Sequence, residues 1–169
     1  MKTKKNVITS VCISLVLLLA ISLTVLINQN LVYTYYEDYT PTYHSYSVKA
    51  TSLNFRKEIV IPESTQKSGE RPIYKIVKII EPHAFEKSRA TRFVIPDSIS
   101  VIGMRAFYSE TSKTIVYEGT LKQWKSIDFS SVGIFKNAIL ECEGEIYYLS
   151  ECGGIKAKYN KEDGSVTIY

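Results

Sequence analysis

Few residues in this 169-residue chain are of a type and spacing that could do chemistry. It holds two histidines, His44 and His83, and neither has a neighbouring nucleophile motif. A histidine so placed reads as a surface or packed side chain before it reads as a base or a ligand. Glu141, Glu143 and Glu145 alternate, so on one strand they would share a face and could attract a cation. A solvated strand edge is the commoner meaning of such a trio. Cys142 and Cys152 could pair at an oxidising surface, with two free thiols as the alternative. Without nearby histidines they make a poor zinc site. Trp124 is the only tryptophan and could stack on a ligand, but its helical spacing from Leu121 and Ile127 reads first as core. The chain has no Gly-x-Ser-x-Gly elbow, phosphate loop or His-Glu-x-x-His motif. No catalytic residue, cofactor or metal is expected, and an enzyme has no positive support.

The elements around these residues begin with the N-terminus. Residues 7–27 contain 21 positions with no charge, proline or glycine. As a helix at ~1.5 Å per residue this run is about 31 Å long, the thickness of a bilayer's hydrocarbon core. Lys2, Lys4 and Lys5 precede it, while Glu37 and Asp38 are the first charges after it. That asymmetry places residues 1–6 in the cytosol and the rest outside, on a single-pass signal anchor. A cleaved signal peptide, cut after Ala20-Ile21-Ser22 and leading to a secreted protein, is the alternative. It would leave residues 23–27 as an apolar stub. Much of the net charge of +4 comes from the three leading lysines, without which 18 basic residues face 17 acidic ones. Nothing there supplies the clustered basic face that nucleic acid needs.

Residues 28–45 hold most of a tyrosine cluster, from Tyr33 to Tyr46, and read as a linker or stem. The alternation of Tyr33 and Tyr35 fits a strand equally well. A repeat follows. Ile80 and Ala84-Phe85 return as Ile102 and Ala106-Phe107, and Phe93-Val94-Ile95 returns as Ile115-Val116-Tyr117, each 22 residues on. Val60-Ile61-Pro62-Glu63-Ser64 returns as Val94-Ile95-Pro96-Asp97-Ser98 after 34, which fits an insertion at 65–72. The β-branched triplets give short strands that stack in parallel, and the proline after them lacks the N–H to continue a ladder. Ala-Phe offers a small residue where backbones crowd and a large one to fill the interior. A single repeat cannot bury its own apolar face, so stacking and caps are required.

These motifs resemble the BspA-type leucine-rich repeats of bacterial and protist surface proteins. Ile95, Pro96, Ser98, Ile99, Ile102, Gly103, Ala106 and Phe107 follow that family's Ile-Pro-x-Ser-Val-x-x-Ile-Gly-x-x-Ala-Phe pattern. Tyr117, Gly119, Thr120, Trp124 and Ile127 are similar to its closing segment, as are Ile139, Cys142 and Gly144 further on. The resemblance covers about residues 46–146. It departs where the family places a small residue or cysteine and then leucine after Ala-Phe. Here Ser88 and Thr91, then Glu110 and Lys113, hold those places. The lateral side of the array is therefore expected to be thinner and less apolar.

The resemblance implies a mainly β fold with short helical turns: a short leucine-rich-repeat solenoid over 46–137 and a β-rich cap over 138–169. Thr120 and Gln123 form a capping box that starts a short helix near 120–127. Asp163-Gly164 marks a hairpin between two alternating runs. The implied function is an adhesin-like, surface-displayed module that binds a protein or glycan, with membrane contact through its N-terminal helix. The alternative is a small envelope scaffold that associates with another membrane protein. Arg92 and Thr114, beside Val94 and Val116, are the candidate binding positions. Protease applied to intact cells should remove the domain and leave a short N-terminal fragment; full protection would reverse the orientation, and an N-terminus at Leu23 would establish cleavage.

Overall fold

The computed structural model describes residues 31–36, 45–50, 56–65, 75–129 and 133–169. The expected membrane segment at 7–27 lies outside them, as does His44. Among the described residues no helix is long and apolar enough to cross a membrane.

Each β-branched run becomes a short strand, and the strands fall into two sheets. The first contains β1 (Leu31–Tyr36), β2 (Ser45–Ala50), β4 (Ser64–Thr65), β5 (Lys75–Ile80), β7 (Val101–Ile102) and β9 (Asp128–Phe129). The second contains β3 (Glu58–Val60), β6 (Arg92–Ile95), β8 (Lys113–Tyr117), β10 (Ala138–Cys142), β11 (Glu145–Leu149), β12 (Ile155–Tyr159) and β13 (Val166–Ile168). Strand order is β1-β2-β5-β7-β9 in the first, with β4 against β5, and β13-β12-β11-β10-β8-β6-β3 in the second. The chain visits the sheets in alternation, so each coil adds one parallel strand to each. Register follows the repeat: Ile80 pairs with Ile102, Phe93 with Ile115 and Val60 with Val94. Of the insertion at 65–72 only Thr65 is described, in β4, which folds back antiparallel on β5.

Between the two strands of a coil runs the Ala-Phe turn, and these turns stack as the strands do. The Phe85 N–H donates to the Ala106 carbonyl at 2.8 Å, and the Phe107 N–H to the Ile134 carbonyl at 3.2 Å. Phe85 and Phe107 stack at 5.3 Å between ring centroids, and Phe107 and Phe135 at 5.6 Å with only 2° between their planes. Phe135 is the third ring of this column. The sequence hides it, because Ile134 replaces the alanine and the spacing from Phe107 is no longer 22. His83 and Arg105 hold the same turn position and share a left-handed backbone, with φ of 59° and 54°. Gly103 has a different reason to be small. A Cβ there would come within 2.5 Å of the Pro82 nitrogen, so only glycine lets one turn settle on the next.

The interior lies between the two parallel ladders. Val48, Val77, Ile80 and Ile102 come from the first sheet, Phe93, Ile95, Ile115 and Leu140 from the second, and all are buried. The helix α1 (Leu121–Ser126) follows β8 and carries the expected capping box, with the Thr120 hydroxyl accepting from the Gln123 N–H. Trp124 is fully buried and donates its indole N–H to the Gly153 carbonyl at 3.0 Å, as a core residue of the cap rather than an exposed ring.

Two boundaries differ from expectation. β10 pairs in parallel with β8, from Ala138 opposite Lys113 to Cys142 opposite Tyr117. It is therefore the last rung of the solenoid, and the antiparallel cap starts only at β11. The sequence conceals this because the last coil carries no Ile-Pro or Ala-Phe. At the other end β1 falls inside the stretch read as linker. It pairs antiparallel with β2 along all six residues, so the strand reading of the tyrosine alternation holds there.

Phe107→Ala should cost about 3–5 kcal/mol in urea unfolding, more than Phe85→Ala, because it removes the ring between two neighbours. A loss below about 1 kcal/mol at both would place the rings at the surface and break the column.

Candidate interaction surface

Alternation along the second sheet sorts its side chains into two faces. In β8, Lys113, Ile115 and Tyr117 are buried, while Thr114 and Val116 point outward and are half-buried. β6 and β10 alternate in the same way. Registers across the sheet then give two outward rows. One runs Val60, Val94, Val116, Glu141, Ile146, Tyr159, Val166. The other runs Glu58, Arg92, Thr114, Ile139 and Tyr148, and reaches Ile168 by way of the buried Ala157. Several large apolar members are well exposed: Val60 at 54%, Val166 at 50% and Ile168 at 82%. The outward face is thus apolar across both the parallel ladder and the antiparallel cap.

Arg92 and Thr114 are register partners on this face. The Arg92 guanidinium lies 3.1 Å from Glu58 and 3.0 Å from Glu141, so it ties edge strand β3 to the last rung of the ladder. Glu141, and to a smaller extent Glu58, hold its pKa above the usual arginine value. Such half-exposed pairs contribute little to stability, but they set a fixed charge pattern amid the valines.

The glutamate trio does not share a face. Glu141 is on β10, whereas Glu143 and Gly144 form the two-residue turn to β11, both with positive φ. Glu143 accepts from the Leu121 N–H at 2.9 Å, satisfying a free donor at the start of α1. Glu145 pairs with Lys158 at 3.3 Å. Each carboxylate has its own partner, and no group of metal-ligating side chains occurs among the described residues.

His83 is likewise accounted for. Its Nδ1 lies 2.7 Å from Glu86, which also accepts from Arg105 Nε at 2.8 Å. Those hydrogen bonds, His83's first, hold the Glu86 carboxyl below its usual range. The Arg105 guanidinium lies 4.1 Å from the centre of the Tyr108 ring. This ridge of paired side chains runs over the turns and offers no nucleophile.

Cys142 and Cys152 are both free thiols. Cys142 is buried and its thiol donates to the Gly119 carbonyl at 3.3 Å, whereas Cys152 is exposed. The pairing considered from sequence is not formed because the two lie at opposite ends of β11. Four residues of strand put about 13 Å between those ends, against the roughly 7 Å that a disulfide spans.

Lys113 stands one 22-residue coil after Thr91, and the structure buries it there. It is 2% exposed, lies over the Phe93 ring, and donates to the carbonyls of Ser88, at 3.2 Å, and Ala90. Its stem fills the lateral side that the sequence suggested would be thin, and its head satisfies two carbonyls of the preceding loop. Burial holds its pKa below the usual lysine value.

Comparison with protein-family models and with curated proteins finds no match. Among solved structures the chain is similar to a leucine-rich cell surface protein from Faecalibacterium prausnitzii, at 23% identity and a TM-score of 0.38. That likeness covers 50% of this chain and only 24% of the other. A leucine-rich-repeat protein from Bacteroides capillosus is similar at 23% identity, over 53% of this chain and 72% of that one, with a TM-score of 0.37.

Lys113→Met should cost about 1–3 kcal/mol at neutral pH by leaving the two carbonyls without a donor. A lysine whose folded pKa is lowered is penalised while protonated, and the penalty lifts as pH rises from the folded value toward ~10.4. The wild-type advantage over Lys113→Met should therefore be larger at about pH 10.4 than at about pH 7 in paired denaturation curves. An equal gap at both would mean that Lys113 titrates as in the unfolded chain.

Proposed function

We propose that this chain is a surface-displayed, leucine-rich-repeat binding module that works by contact and without turnover. The N-terminal apolar segment tethers it to the membrane, with the solenoid outside. The single observation that supports this most is the continuous outward face of the second sheet. Monomeric proteins rarely leave an apolar surface of several strands open to water unless it meets something. A broad face with valine and isoleucine at its centre and the Glu58–Arg92–Glu141 cluster across it suits a protein surface better than a single sugar. Arg92 supplies a charge of fixed position, the kind of anchor found at interface centres. On this reading the BspA-type resemblance extends from the repeat pattern to the role.

An interface on so small a domain buries about 800 Å² per partner, so affinity is modest unless copies cluster on the cell. Thr114→Lys together with Val116→Lys changes only the outward face and should leave the unfolding midpoint within a few degrees of wild type. Surface cross-linking in intact cells should lose its partner band in that variant. Retention of the band there, with its loss on deleting residues 28–45, would move the binding site to the tyrosine-rich stem. Hydrolysis of a glycan or peptide by the purified protein would overturn the binding reading.

A further inference from the structure

A second place on the molecule has the character of a small-ligand site. A cavity of about 300 Å³ opens between α1, the cap strands and the last residue, lined by Leu121, Lys125, Tyr147, Ile155, Lys158 and Tyr169. Leu121 and Ile155 form its apolar wall, since both pack on the hydrophobic core. Lys125 lies in the last turn of α1 and has no ion pair among the described residues, whereas Lys158 is held by Glu145 at 3.3 Å. Tyr169 is 72% exposed, so its ring is open to a ligand.

Tyr147 distinguishes this hollow from an incidental gap. It lines the cavity and is only 6% exposed, and its hydroxyl has no hydrogen-bond partner among the described residues. Buried hydroxyls are nearly always satisfied, and one that is not calls for a reason. Burial also pushes its phenol pKa up, which keeps it a neutral donor. The larger hollow nearby, about 430 Å³ between Gly144 and Thr167, lacks these features. Its lysines are engaged, Lys158 with Glu145 and Lys161 with the Gly144 carbonyl, and it has no apolar wall.

We propose that this cavity binds one acidic monosaccharide unit, a pyranose that carries a carboxylate. Its carboxylate meets Lys125, its apolar face lies on Tyr169 against the Leu121 and Ile155 wall, and a ring oxygen accepts from the Tyr147 hydroxyl. Half-polar, half-apolar lining suits a sugar, which has hydroxyls around an apolar face. The site shares no residue with the outward rows of the second sheet, although Tyr147, Lys158 and Tyr169 adjoin them in sequence, and it stands or falls independently of that interface.

The test is an NMR titration of the full chain in non-ionic detergent with D-glucuronate, and with D-glucose and benzoate as comparisons. Saturable binding of glucuronate in the range of about 1 mM is expected, with glucose at least about tenfold weaker. Lys125→Ala and Tyr147→Phe should each weaken glucuronate about tenfold. Tyr147→Phe should do so without lowering the melting temperature, since it removes a hydroxyl that has no partner in the ligand-free fold. The proposal is overturned by absent or unsaturable glucuronate binding, by glucose binding equally well, or by undiminished affinity in Tyr147→Phe. Benzoate binding without glucuronate binding would overturn it too, and would make this a site for aromatic acids.

Discussion

Everything in this domain depends on the turns being able to stack as closely as the strands. A parallel ladder needs each coil to return to the same place one strand-width along. The coil can do so only if its Ala-Phe turn rests directly on the next. Three residue choices permit it. Gly103 leaves room for the Pro82 backbone, the small Ala84 and Ala106 let main chains approach, and the phenylalanines fill the space so enclosed. The resulting column of Phe85, Phe107 and Phe135, joined by Phe93, is where the two ladders are held together. Aromatic rings at these separations add to their burial through favourable quadrupole geometry.

That inward commitment is also what leaves an outward face. Period-two alternation sends every second side chain of the second sheet to the core and the rest to water. In most antiparallel sheets with one wet side the outward residues are polar. Here many are valine, isoleucine or tyrosine, crossed by one arginine with a glutamate on either side. The rows continue from the solenoid into the cap, because Ile139 and Glu141, which stand opposite Thr114 and Val116 on β8, also stand opposite Tyr148 and Ile146 on β11. The cap closes the core and at the same time widens the exposed sheet.

Lys113 illustrates how the same constraint absorbs an unfavourable residue. A lysine at an interior strand position offers a long apolar stem, and the loop between Ser88 and Ala90 offers carbonyls for its head. The ammonium is kept out of water at a cost that its hydrogen bonds partly offset. Trp124 works from the other end of the molecule in a comparable way. Its ring packs against Tyr117 and Phe129 while its N–H reaches the Gly153 carbonyl, so one side chain seals the last coil and ties the cap's turn to it.

The sequence by itself determined the strand periodicity, the 22-residue coil, the equivalence of Phe85 with Phe107, and the capped helix at Thr120. These are properties of residue type at fixed spacing, and the side-chain direction of a strand or helical turn follows from spacing alone. It could also place Arg92 and Thr114 side by side, since both precede the repeated triplet. Tertiary structure alone decided the rest. Phe135 joins the column and β10 joins the ladder although neither carries the repeat's motif, because a partner already in place imposes register on any apolar strand of suitable length. The glutamate trio separates because the two residues at Glu143-Gly144 turn the chain, and the cysteines stay apart because a strand lies between them. Burial of Lys113 and of the Tyr147 hydroxyl was invisible for one reason: whether a polar group is satisfied depends on carbonyls and cavities contributed by segments distant in sequence.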